Sequence, residues 1–199
     1  MVLCDIISLI NLKEDFFMSE NVVSRSKLFN TREIVLIAMF AAVMAVCSWI
    51  SVPTAIPFTL QTFGVFCAMS ILGGKNGFFS ILVYILIGAA GVPVFSGFSA
   101  GFSALTSYSG GYIWGFLFLA LVFWVAEKFF EKRLYIQIVS LIIGMAVCYL
   151  CGTLWFMHVT KTGFLYGLTA CVAPYVLFDL LKMACAVGIS VRVKKYVRV

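Results

Sequence analysis

Asp179 and Lys182 stand three residues apart in Val176-Leu-Phe-Asp-Leu-Leu-Lys-Met-Ala-Cys-Ala-Val187, opposite charges inside an otherwise apolar stretch. A charge at the centre of a membrane-spanning helix costs about 2.5–3.5 kcal/mol on insertion scales, so it persists where it faces a cavity, a partner or a ligand. Spaced three apart, the two share a helix face and either neutralise each other as a lock between helices or form the polar end of a binding site. A carboxylate supplies hydrogen-bond acceptors and an ammonium supplies donors, which together suit a small ligand carrying both kinds of polar group.

Further polar residues fall at matching depth. At about 1.5 Å per helical residue, Asp179 lies about 20 Å from Arg192, Gln61 about 21 Å from Lys75, and Tyr112 about 24 Å from Lys128. Lys182 and Tyr84 come out somewhat deeper, about 15 Å and about 14 Å from the basic residue on their own segment. This predicts a pocket open to the outside and floored near the midplane. For Gln61 an interhelical hydrogen bond is the alternative to ligand contact, and for the tyrosines it is packing. The connection Gly91–Tyr112 is long and rich in Gly, Ser and Phe, as binding loops and lids are, and Phe95, Phe98 and Phe102 are candidates to cap an apolar ligand.

Other chemistry is disfavoured. Gly73-Gly74-Lys75-Asn76 lacks the upstream glycine and the hydroxyl residue of a phosphate-binding loop, so ATP is not expected to bind there. His158 has no second ligand spaced to it, and Cys148-x-x-Cys151 lies mid-helix without a second pair, so both read as structural and neither metal nor cofactor is expected. A membrane-embedded enzyme using Asp179 as acid or base stays open as an alternative, although no other acidic residue falls within a span.

These residues must be held by helices in a bilayer. The 199-residue chain is 63% hydrophobic and 11% charged, whereas soluble domains are about 45–50% apolar; its mean hydropathy is +1.11. The sequence predicts an all-α integral membrane protein with six transmembrane helices, over Ile34–Val52, Ile56–Leu72, Gly77–Ala90, Gly110–Ala126, Leu134–Met157 and Phe164–Val191. Pro174 predicts a bend at the outer end of the last. Residues 1–31 read as a partly disordered cytoplasmic lead-in, with Met18 a second candidate start, and residues 32–199 as the membrane domain.

The net charge of +6 is not a nucleic-acid signal, because the basic residues sit in gaps between apolar runs. With the amino terminus inside, Lys161 is the one basic loop residue left outside, which predicts both termini cytoplasmic in the cell membrane. Trp49, Trp114 and Trp155 then fall near the outer ends of their spans, as an aromatic belt requires. The first span carries Ala38-x-x-x-Ala42, small residues four apart that let another helix approach closely.

Several motifs in order resemble one family. Ile56-Pro-Phe-Thr-Leu-Gln-Thr62, Leu72-Gly-Gly-Lys-Asn-Gly77, Gly91-Val-Pro-Val-Phe95, Ser109-Gly-Gly-Tyr112 and Asp179-Leu-Leu-Lys182 are similar to the BioY family, biotin-binding S components of energy-coupling factor transporters. This chain differs from the family's usual pattern at Ser107-Tyr108-Ser109 and at Leu177-Phe178. The resemblance implies a transport protein rather than an enzyme, with Asp179, Lys182, Gln61, Phe95, Tyr112, Gly111 and Tyr84 as substrate-binding residues. It implies that Asp179 accepts from the ureido N–H of biotin, that Lys182 orients Asp179 or donates to the ureido oxygen, and that Phe95 and Tyr112 cover the ring. It also implies partners, a transmembrane coupling protein meeting Ala38 and Ala42 and two ATPase subunits. An S component for another vitamin is the alternative within that class.

Overall fold

Gly73 turns the chain at φ 81°, ψ 176° within the element Gln61–Ala89, a conformation open essentially to glycine alone. The two arms fold back there: a Cβ on Gly77 would fall 3.1 Å from the Met69 Cα, and Gln61 reaches Tyr84. Glu127 accepts a hydrogen bond from the Gly74 N–H, which opens the second arm and has no carbonyl a turn earlier to receive it.

The computed structural model describes residues 29–52, 57–130 and 133–196. In order these form α1 (Thr31–Trp49), β1 (Ser51–Val52), β2 (Phe58–Thr59), α2 (Gln61–Ala89), a 3-10 turn (Ser96–Phe98), α3 (Gly101–Thr106), α4 (Gly110–Phe129), α5 (Leu134–Thr160), α6 (Phe164–Cys171) and α7 (Ala173–Tyr196). The chain divides into a unit Met1–Ile34 and a larger unit Val35–Val199. In the first, the Glu33 carboxylate accepts from the Asn30 backbone N–H at 2.8 Å, the return half of a capping box.

Four of the described helices, α1, α2, α4 and α5, are long and apolar enough to cross a membrane, which makes the chain a multi-pass membrane protein. The expectation of six spans is corrected by this count, and the reasons are local. Ile56–Leu72 and Gly77–Ala90 fall largely in one element turned at Gly73, which counts as one candidate span rather than two. The last segment splits at Val172 into eight-residue α6 and α7. Pro174, which has no N–H, lies in the first turn of α7, where none is needed. α7 is long, but Asp179, Lys182, Arg192, Lys194 and Lys195 load it with charge. Of the expected lead-in over residues 1–31, residues 1–28 lie outside the described residues, as do residues 197–199.

The core fills from small and large residues in register. Gly115 of α4 packs on Cys148 of α5, and Gly144 of α5 packs on Leu119 of α4, so close that a Cβ on either would approach within 3.0 Å or less of the facing side chain. Met44, Val65, Met69, Ile81, Leu119 and Leu141 are fully enclosed. Met39, Val43, Phe118, Leu121, Ile142, Leu150 and Leu154 face outward, the apolar exterior that a hydrocarbon solvent permits and water does not.

Two connections shape the site. The β1–β2 ribbon pairs Ser51 with Thr59 and Val52 with Phe58, and delivers Phe58 and the Thr59 carbonyl to the head of α2. The segment Val92–Phe95 is tied down by three hydrogen bonds: Trp49 Nε1 donates to the Pro93 carbonyl at 2.9 Å, and Ser48 Oγ and Tyr84 OH both donate to the Val94 carbonyl. Phe95 is thereby turned inward, edge-on to Tyr84 at 5.5 Å between ring centroids and flush on Gly88.

Candidate functional site

A cavity of about 400 Å³ lies between the head of α2, the Phe95–Tyr112 segment, α4, α5 and α7, within the range of small-molecule sites. Its walls are apolar and aromatic, with Phe58, Phe66, Phe95, Tyr112, Phe116 and Tyr175 prominent. Asp179 and Lys182 are the charged residues among those lining it.

The pair is a closed network. Lys182 Nζ donates to Asp179 Oδ1 at 2.8 Å, to the Thr59 carbonyl at 2.7 Å and to Thr62 Oγ1 at 3.2 Å, which uses all three ammonium hydrogens. The ring of Phe58 covers it at 4.1 Å, a favourable face for a cation. Thr62 Oγ1, accepting from Lys182, passes its own hydrogen to Asp179 Oδ1 at 2.8 Å. Tyr149 OH donates to the other oxygen, Oδ2, at 2.5 Å. The side chains of Lys182 and Asp179 are 10% and 6% exposed, so the pair is sealed from solvent.

Counting lone pairs shows what is left. A carboxylate offers about four acceptor positions, two on each oxygen. Oδ1 is filled by Lys182 and Thr62, and Oδ2 holds Tyr149 alone. One acceptor position on Asp179 Oδ2 thus remains for a ligand donor. Gln61 supplies the complement: Tyr84 OH spends its hydrogen on the Val94 carbonyl, so it must accept from Gln61 Nε2, at 2.9 Å. That fixes the amide orientation and leaves Gln61 a second N–H to give.

The residues singled out from the sequence separate into two layers. Asp179, Lys182, Gln61, Phe95 and Tyr112 line the cavity together. Tyr84 is buried behind Gln61 and does not line it. Gly111 packs against Trp155, where a Cβ would come within 2.3 Å of the indole side chain, and so sets the position of the neighbouring Tyr112. Phe98 and Phe102 are 62% and 69% exposed and stand outside the cavity. Phe98 stacks on Trp49 instead, and the connection read as a binding loop or lid contains α3. Ala38 and Ala42 lie on an exposed face of α1.

Thr59, Thr62 and Tyr149 carry the network and were not legible as site residues. Thr62 follows Gln61 directly, and a search one residue either side of a polar intramembrane position finds it. Tyr149 gives no such signal, being one tyrosine in a continuous apolar helix. Cys148 lines the cavity, donates to the Tyr112 carbonyl at 3.7 Å and, like Cys151, is a free thiol. Among the described residues no group of three or more His, Cys, Asp or Glu is arranged to hold a metal ion.

Comparison with known proteins bears on this arrangement as a whole. The sequence profile of the BioY family matches residues 19–199. The biotin transporter BioY of Thermotoga maritima is 35% identical over 169 residues, covering 82% of this chain and 96% of that protein. A probable biotin transporter BioY of Pyrococcus horikoshii is 35% identical over 164 residues, with the same two coverages. The crystal structure of the S-component for biotin from an ECF-type ABC transporter superposes with a TM-score of 0.75 at 21% identity, covering 82% of this chain and 91% of that one, a likeness of fold.

Proposed function

The chain belongs to the BioY family, and from that premise we propose that it is a biotin-capturing S component of an energy-coupling factor transporter. It is a transport protein, and the alternative of an acid–base enzyme built on Asp179 is set aside by the family. Biotin presents two ureido N–H donors and a carbonyl acceptor at one end, an apolar sulfur-bearing ring, and a tail ending in a carboxylate. The single observation that carries the reading is the one acceptor position left on Asp179 Oδ2, at the sealed end of an aromatic cavity.

In this reading a ureido N–H donates to Asp179 Oδ2, and the second N–H of Gln61 Nε2 is available to the ureido oxygen. Lys182 does not reach the ligand, since its three hydrogens are already given to Thr59, Thr62 and Asp179; it holds the carboxylate aimed. The ring of biotin lies among Phe66, Phe95, Tyr112 and Phe116. Desolvated polar groups with one matched partner each reject ligands that lack the partner, which is how such a site selects.

Transport itself needs other chains. The partners proposed are a transmembrane coupling protein, seated on the Ala38–Ala42 face of α1, and two ATPase subunits. The helix ends bearing Arg32, Lys128, Arg133, Arg192, Lys194 and Lys195, and the termini beyond them, face the cytoplasm on the positive-inside bias. The mouth of the cavity then opens to the outside.

The test is titration of the purified protein with biotin, beside Asp179→Ala. The expected result is saturable binding that weakens by about 10- to 150-fold in the variant, the loss of a charge-assisted hydrogen bond. Equal binding by the two proteins would sink the assignment.

A further inference from the structure

The same network constrains the far end of the ligand, a step that rests on the biotin reading. Asp179 and Lys182 cancel each other's charge inside the cavity, and among the described residues no third charged one lines it. A ligand carboxylate therefore finds no counter-ion: the one lining cation is enclosed by Thr59, Thr62, Asp179 and the Phe58 ring and has no hydrogen to give. Burying an unpaired carboxylate in such a space is unfavourable, so the tail must end where water reaches it.

Three of the hydroxyls that the Phe95–Tyr112 segment lends to the lining are already used as donors. Ser99 Oγ gives its hydrogen to the Ser96 carbonyl at 2.8 Å, Ser103 Oγ to that of Ala100 at 3.4 Å, and Ser107 Oγ to that of Ala104 at 2.7 Å. Each keeps acceptor lone pairs, and Ser99, just after the 3-10 turn, and Ser103 of α3 are exposed. Acceptors on an exposed segment suit an amide N–H, whereas a carboxylate has no hydrogen to give them.

We propose that this protein binds ligands whose tail ends in a neutral amide as readily as those ending in a carboxylate, so that amide conjugates of biotin, including biotin joined to the ε-amine of lysine, belong to its substrate class. The polar head is read closely and the terminal charge of the tail is not read at all.

The experiment uses the full-length unaltered protein, titrated in parallel with biotin and with biotinamide, which differs from it only by –CONH2 in place of –COO⁻. Dissociation constants within about tenfold of each other are expected, and a loss of more than about tenfold for the amide overturns the proposal. Because biotin is measured in the same series, tight biotin binding with weak amide binding removes the tail inference alone. Absence of saturable biotin binding removes the reading beneath it as well.

Discussion

Tyr149 of α5 donates its phenolic hydrogen to Asp179 Oδ2 of α7 at 2.5 Å, while Lys182 and Thr62 hold Oδ1. The carboxylate is thereby gripped on both oxygens from three elements, and the direction of its remaining lone pair is set before any ligand arrives. Such preorganisation lowers the ordering cost of binding.

Tyr149→Phe keeps the ring and removes that grip. We expect biotin affinity to fall by about 5- to 10-fold, corresponding to about 1–1.5 kcal/mol for one hydrogen bond, with thermal stability in detergent nearly unchanged. Titration together with a melting curve checks both halves, and an unaltered dissociation constant would remove Tyr149 from the positioning role.

Lys182→Met leaves Asp179 buried without its counter-ion, and breaking a buried pair by one partner costs about 3–5 kcal/mol. The single variant is expected to lose both stability and binding. Adding Asp179→Leu should restore most of the stability by making the site apolar, while binding stays lost. Melting temperatures across this double-mutant cycle measure the coupling; a double variant no more stable than Lys182→Met would contradict the closed-network account.

Gly88→Ala places a Cβ 2.1 Å from the Phe95 ring. Phe95 is fully buried and packed edge-on to Tyr84, so relief requires its ring to move into the cavity or out of the core. Overpacking of this kind costs about 1–3 kcal/mol, and biotin affinity should fall in step with stability. Titration and melting measured on the same preparation would show whether the two move together.

Ala38→Trp and Ala42→Trp alter an exposed face of α1 away from the cavity. Biotin binding by the isolated protein is expected to be unchanged, and ATP-driven uptake in cells with the partner subunits is expected to be lost. Counting bound biotin and imported biotin on the same variants separates the two; loss of both would mark the face as part of the fold instead.

The depth argument from helical rise set Gln61, Tyr112 and Asp179 at one level, and they do line one cavity. The rise per residue is nearly constant and each segment has a basic residue to count from, so positions on different helices can be compared in this way. Depth could not tell a cavity-lining residue from one behind it: Tyr84 came out level with Lys182, which lines the cavity, yet Tyr84 is buried behind Gln61, and the difference lies in which side of its helix each presents. The span count went astray for a related reason. Hydropathy recognises apolar residues but not the backbone torsions of Gly73, which join two segments into one element, nor the helix break at Val172.

What the sequence determined by itself was the solvent and the expense: a chain too apolar for water, with one carboxylate and one ammonium placed where neither belongs without a purpose. The order of its motifs also carried the family. Only the tertiary structure decided how that expense is met, with Lys182 turned wholly inward to Thr59, Thr62 and Asp179, and Tyr149 arriving from thirty residues away. The physical reason is that hydrogen bonds are directional and short. Which lone pair remains open depends on where donors from separate helices point, and no spacing along one helix encodes that.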